Sequence, residues 1–102
     1  MIRYSIMYPQ GGKFDADYYA TKHMPMVAEQ CGAALVRYEI DKGVASGAPG
    51  QPAPYVCVAH LYFNSLPELM QAFAPHVGAI MGDVPNYTDA TPTMQISEIV
   101  KG

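Results

Sequence analysis

The segment Lys22-His23-Met24-Pro25 sets an imidazole two residues before a position that lacks a backbone N–H. Imidazole exchanges a proton near physiological pH. An inward-facing His23 therefore suits a general base acting on an acidic C–H or a phenolic proton. Asp83 and Tyr87 share the run Asp83-Val84-Pro85-Asn86-Tyr87-Thr88. A carboxylate can hold an imidazole in one tautomer, and a tyrosine hydroxyl can bond a substrate oxygen. Tyr4, Tyr8, Tyr19 and Tyr38 offer the aromatic walls with polar handles that small-molecule pockets use. Each of these residues also has a plain structural use. His23 fits a core histidine bonded to a carbonyl that Pro25 frees. Asp83 fits a turn residue bonding local backbone. The tyrosines fit ordinary core and interface packing.

Other chemistries lack their residues. His23, His60 and His76 are dispersed, with no H-x-H or H-E-x-x-H spacing, so no metal site is expected. Gly11-Gly12 lacks the flanking pattern of a phosphate loop, and Ser and Cys nucleophile motifs are missing. No cofactor is expected. Cys31 and Cys57 match no metal spacing and read as small buried hydrophobes.

The elements that must position these groups follow from periodicity. Ile2 to Tyr8 alternates as a strand. Pro9-Gln10-Gly11-Gly12 is turn chemistry. Asp15 can cap a helix that runs to about Cys31, where Gly32 ends it. At helical spacing Ala16, Tyr19, Ala20, His23, Val27 and Cys31 form one stripe, which points His23 inward and Pro25 outward. Pro25 cannot bond the carbonyl of Thr21, so a kink or split is expected near His23. Leu35 to Val44 reads as a second strand, residues 43–54 as a long loop, and Tyr55 to Phe63 as the strongest strand. Ser65-Leu66-Pro67-Glu68 opens a second helix as a capping box. Its stripe of Leu66, Leu69, Met70, Phe73, Val77, Ile80 and Met81 should face the core, and Gly82 can end it. Thr93 to Val100 alternates as the last strand.

The order β-α-β-β-α-β predicts one α+β domain over residues 1–102, the ferredoxin-like split βαβ plan with a four-stranded antiparallel sheet. The sheet face away from the helices would carry Met7, Val58 and Tyr62. That face is too apolar to leave wet, so a homodimer is expected. In phase with it, His60 reads as an interface residue. Half of the 102 residues are hydrophobic and 15% are charged, which also favours a buried interface beside the core. The net charge is −3 and no basic run exists, so nucleic acid is an unexpected partner. No apolar run could span a membrane and no signal-peptide pattern is visible, so a cytoplasmic location is expected.

Beyond these physical readings the chain resembles the EthD family, named for a protein of ethyl tert-butyl ether degradation. The resemblance rests on Phe14-x-x-x-Tyr18-Tyr19-x-x-x-His23-x-Pro25, on Leu61-Tyr62-Phe63-Asn64-Ser65, and on Asp83-x-Pro85-Asn86-Tyr87-Thr88. It implies a dimeric α/β barrel of ferredoxin-like subunits. Families on that architecture include muconolactone isomerases, polyketide cyclases and cofactor-free quinone-forming monooxygenases. They hold a hydrophobic molecule, often aromatic or lactone-like, between sheet and helices. The combined expectation is a small dimeric enzyme working by acid–base chemistry on a hydrophobic carbonyl, lactone or phenolic compound. His23 and Asp83 would be catalytic, and Tyr4, Tyr8, Tyr19, Tyr38 and Tyr87 would bind the ligand. The alternative is a non-catalytic binding protein accessory to an oxidative degradation system.

Overall fold

The computed structural model describes residues 1–102 and shows the expected order of elements. They are β1 (Ile2–Pro9), α1 (Ala16–Tyr18), a π-helical turn (Tyr19–His23), α2 (Met24–Cys31), β2 (Leu35–Lys42), β3 (Tyr55–Phe63), α3 (Leu66–Phe73), α4 (Val77–Asp83) and β4 (Thr93–Glu98). The four strands form one antiparallel sheet in the order β2-β3-β1-β4. This is the ferredoxin-like α+β plan. No helix is long and apolar enough to cross a membrane.

Register decides which side chains meet the helices. Tyr8 lies opposite Cys57, Ile6 opposite Ala59 and Tyr4 opposite Leu61. Because side chains alternate along a strand, these residues share one face, and Cys57, Ala59, Leu61 and Phe63 are buried on it. Tyr19, Val27, Cys31, Leu69 and Ile80 from the helical layer complete the core.

Pro25 does what its chemistry demands, in a specific way. The N–H of Met24 donates to the carbonyl of Tyr19, five residues back, so the turn before the proline is a π-turn. The wide turn inserts one residue and advances the helical phase. Met24 is buried as a result, although it lies outside the expected stripe. Ala16 and Ala20, expected inside, are exposed and border an open groove over Ile40 and Cys57. Pro25 itself is exposed, as helical phase requires. The side chain of Asp15 accepts from the N–H of Tyr18, and Gly32 ends the helix at φ 62°.

The second helical arm departs further from expectation. Pro75 splits it, and Ala74–His76 is a 3-10 turn. It continues past Gly82 to Asp83, so Asp83 is helical rather than part of a loop. Of its apolar stripe only Leu69 and Ile80 are buried; Leu66, Met70, Val77 and Met81 stay exposed. The outer sheet face is more polar than the alternation suggests. Arg37 lies 4.0 Å from the centre of the Tyr62 ring, whose hydroxyl donates to Glu39. His60 sits between Ser5 and Asp41 at 3.0 Å from each.

The long connection 43–54 is pinned at its base. Gly43 donates its N–H to the carbonyl of Val56, and a Cβ there would overlap the carbonyl oxygen of Tyr55. Gly43→Ala should therefore destabilise the protein by more than about 1 kcal/mol, because backbone must move. Urea unfolding measures this, and an unchanged midpoint would show that the hairpin base yields freely.

Candidate functional site

His23 leaves the π-turn with its imidazole 3% exposed. Its Nδ1 lies 2.9 Å from Oδ2 of Asp83, the last residue of α4. The contact therefore ties the first helical arm to the second. Asp83 is held from its other side as well. Oδ1 accepts from the hydroxyl of Tyr18 at 2.7 Å and from Nδ2 of Asn86 at 2.8 Å. Burial alone would push this carboxyl up. The hydrogen bonds from Asn86, His23 and Tyr18 outweigh burial and hold it below the usual carboxylate range. A carboxylate is acceptor-only, so Nδ1 of His23 carries a hydrogen and donates it. When the ring carries one hydrogen, its lone pair is then on Nε2.

Nε2 faces the hydroxyl of Tyr87 at 3.4 Å, and that hydroxyl lies 2.6 Å from the hydroxyl of Tyr8. Two hydroxyls in mutual contact use one hydrogen between them, and the other remains free. If Tyr8 donates to Tyr87, Tyr87 can donate to Nε2 and cap the base. If Tyr87 donates to Tyr8, the hydrogen of Tyr8 is free for a ligand oxygen, and Nε2 is bare. Burial raises the pKa of both phenols, so they stay protonated and serve as donors.

The local sequence explains why Tyr87 stays in place. Its carbonyl accepts from the N–H of Asp15, the helix cap, at 2.8 Å. Thr88 donates its hydroxyl to the carbonyl of Lys13, and Asp89 accepts from the N–H of Lys13. The loop after α4 is thus clamped to the segment before α1. Tyr19 stacks on the imidazole with an interplanar angle of 16°. Its own hydroxyl is buried without a partner, and burial raises its pKa strongly.

A cavity of about 180 Å³ opens on these groups. His23, Tyr8 and Tyr87 form its polar part. Ile6, Phe73, Ile80 and Val84 are among its apolar walls, and the exposed Met81 and Met94 also border it. Tyr4 lines it too, with its hydroxyl donated to the sulfur of Met94. Of the residues expected from the sequence, His23, Tyr4, Tyr8 and Tyr87 line this cavity and Asp83 bonds His23 from behind. Tyr19 supports the imidazole without lining the cavity. Tyr38 lies opposite Leu61 on β2, packed on the core, and is not part of the lining. Tyr18 and Asn86, which position Asp83, are additions from the structure. The spacing Asp83-x-x-Asn86 and the Tyr18-Tyr19 pair carry that signal, but only weakly. No three His, Cys, Asp or Glu side chains converge to form a metal-ligand set.

Comparison with known proteins bears on this arrangement. The model of the EthD domain matches residues 13–91, which include the π-turn, His23, Asp83 and Tyr87. The crystal structure of an EthD-like protein from Ralstonia eutropha JMP134 is similar over 98% of this chain and 92% of its own, at 39% identity and a TM-score of 0.92. An ethyl tert-butyl ether degradation (EthD) family protein from Bacillus halodurans C-125 shares the fold. It has 17% identity and a TM-score of 0.69 over 98% of this chain and 99% of its own. No curated protein matches the chain.

The lowered pKa of Asp83 has a defined consequence for stability. Its contribution is present above the ordinary carboxylate pKa and is lost as pH falls through the lower value in the fold. Asp83→Asn should thus be less stable than wild type at neutral pH, with the difference closing in acid. Urea unfolding of both proteins at about pH 7 and about pH 2.5 tests this; an equal difference at both would contradict the assignment.

Proposed function

The chain belongs to the EthD family, and from that premise we propose that it binds a hydrophobic carbonyl, lactone or phenolic molecule and moves a proton on it. The observation that carries this reading is the arrangement of His23. Its Nδ1 is committed to Asp83, and its Nε2 faces the Tyr87–Tyr8 pair at the wall of an apolar cavity. Nε2 would take a proton from an acidic C–H or phenol, and Asp83 would stabilise the imidazolium that forms. The free hydroxyl hydrogen of the tyrosine pair would bond the ligand oxygen on which charge grows. The apolar walls strengthen each of these interactions by excluding water. Isomerisation, cyclisation and oxygen-dependent oxidation of an activated phenol all begin with such a proton removal.

A second reading is a binding protein without turnover, accessory to an oxidative degradation system. The near-complete apolar lining favours it, since binding needs little more than Tyr8 or Tyr87 on a ligand oxygen. Thermal-shift screening of phenols, lactones and cyclic ketones finds ligands for either reading. On a ligand that is turned over, His23→Gln should lower kcat by about 10²–10⁴ and remove an inflection from the pH–rate profile. Turnover unchanged in His23→Gln sinks the proton-transfer role. Tight ligands with no turnover in wild type leave the binding reading.

The proposal includes a homodimer through the outer sheet face, where Met7 and Val58 are half-buried among the polar groups around Tyr62. Sedimentation at micromolar concentration should show a dimer. A stable monomer would remove that part.

A further inference from the structure

A second apolar hollow, about 410 Å³, lies against the first. Tyr4, Phe73 and Val77 line both. Tyr4 and Phe73 meet edge to face, with ring centres 5.4 Å apart, so this aromatic pair is the partition between the two spaces. On its far side the trough is walled by Leu69, Met70, Ala74 and Ile96, with no charged or amide side chain. Its rim explains the exposed stripe of the second helical arm. Met70, Val77 and Ile96 are 54%, 48% and 42% exposed in the chain alone.

Size decides what the inner chamber can hold. An apolar cavity of about 150 Å³ takes up benzene, so the inner chamber of about 180 Å³ has room for about one ring. Small-molecule pockets usually measure about 300–1,000 Å³, a range that this chamber reaches only together with the trough. A ligand confined to the inner chamber would leave exposed apolar surface beside it unexplained. Two methionines near the partition, Met70 and Met81, are side chains that adapt to variable apolar shapes.

Resting on the site reading above, we infer that the ligand is elongated, with one oxygen-bearing ring in the chamber at His23 and an apolar extension laid across Tyr4 and Phe73 into the trough. The chamber supplies orientation through Tyr8, Tyr87 and His23. The trough supplies affinity without polar selection, so it accepts an alkyl chain or a further fused ring.

Phenol and 4-hexylphenol, titrated by calorimetry or ligand-observed NMR, test the inference. In wild type 4-hexylphenol should bind at least about tenfold more tightly than phenol, given the gain for each buried methylene. Met70→Glu and Ile96→Glu each charge the trough at an exposed position outside the chamber. Either should abolish the gain from the chain while leaving phenol affinity unchanged. If phenol binds but the chain adds nothing, or the gain survives both glutamates, the trough is not a subsite and the inference fails while the site reading stands. If neither probe binds, the phenolic form of the reading at His23 fails, and the inference fails with it. Sedimentation of the same variants gives the remaining outcome: a dimer that either glutamate dissociates assigns the trough to a second copy, which overturns the inference.

Discussion

The hydrogen bond from His23 Nδ1 to Asp83 Oδ2 joins two helical arms that are 60 residues apart in the chain. Most of the arrangement around the cavity exists to make that contact possible. The π-turn before Pro25 ends at His23, whose imidazole is buried. The split at Pro75 lets the second arm end with Asp83 beside it. A half-buried carboxylate needs donors, and Tyr18 and Asn86 supply them where backbone does not reach. Removing Asp83 would leave Nδ1 of the buried His23 without its partner, which costs more than the bond itself contributes.

Burial gives the groups of this site different roles. It raises the pKa of the Tyr8 and Tyr87 phenols and keeps them neutral donors. The carboxyl of Asp83, placed among three donors at the edge of the same layer, is drawn the other way and stays ionised. Nδ1 of the imidazole meets the ionised acceptor, and Nε2 meets the two neutral hydroxyls on the cavity side. The ring nitrogen and the hydroxyls on the cavity side thus belong to different side chains, the division that the proposed proton transfer uses.

Much of the framework was legible without coordinates. Alternation and β-branched or aromatic content located the strands, although β2 and β4 end two residues earlier than expected. Asp15, Gly32 and Ser65 mark helix ends for reasons of local hydrogen bonding, and they do so here. Pro25 signalled a break because it lacks a donor. The form of the break, a π-turn that buries Met24, depends on how the following helix packs. The second arm was less legible. Its apolar stripe looks the same whether it faces a core or overhangs an edge strand, and only the placement of β4 separates these cases. Tyr18 and Tyr38 show the same limit. Tyr38 was expected at the ligand and Tyr18 was not, yet Tyr18 holds Asp83 and Tyr38 packs on β2 outside the cavity lining.

The amino-acid sequence by itself determined the order of elements, the inward phase of His23, the discontinuity at Pro25 and the α+β class. All of these arise from interactions within a few residues, where chain geometry leaves few options. The tertiary structure alone decided that His23 meets Asp83, that Tyr87 links it to Tyr8, and that a small cavity at His23 adjoins an open apolar trough. Those contacts join residues 60 to 79 positions apart. Their geometry depends on strand register and helix placement, which no local pattern encodes.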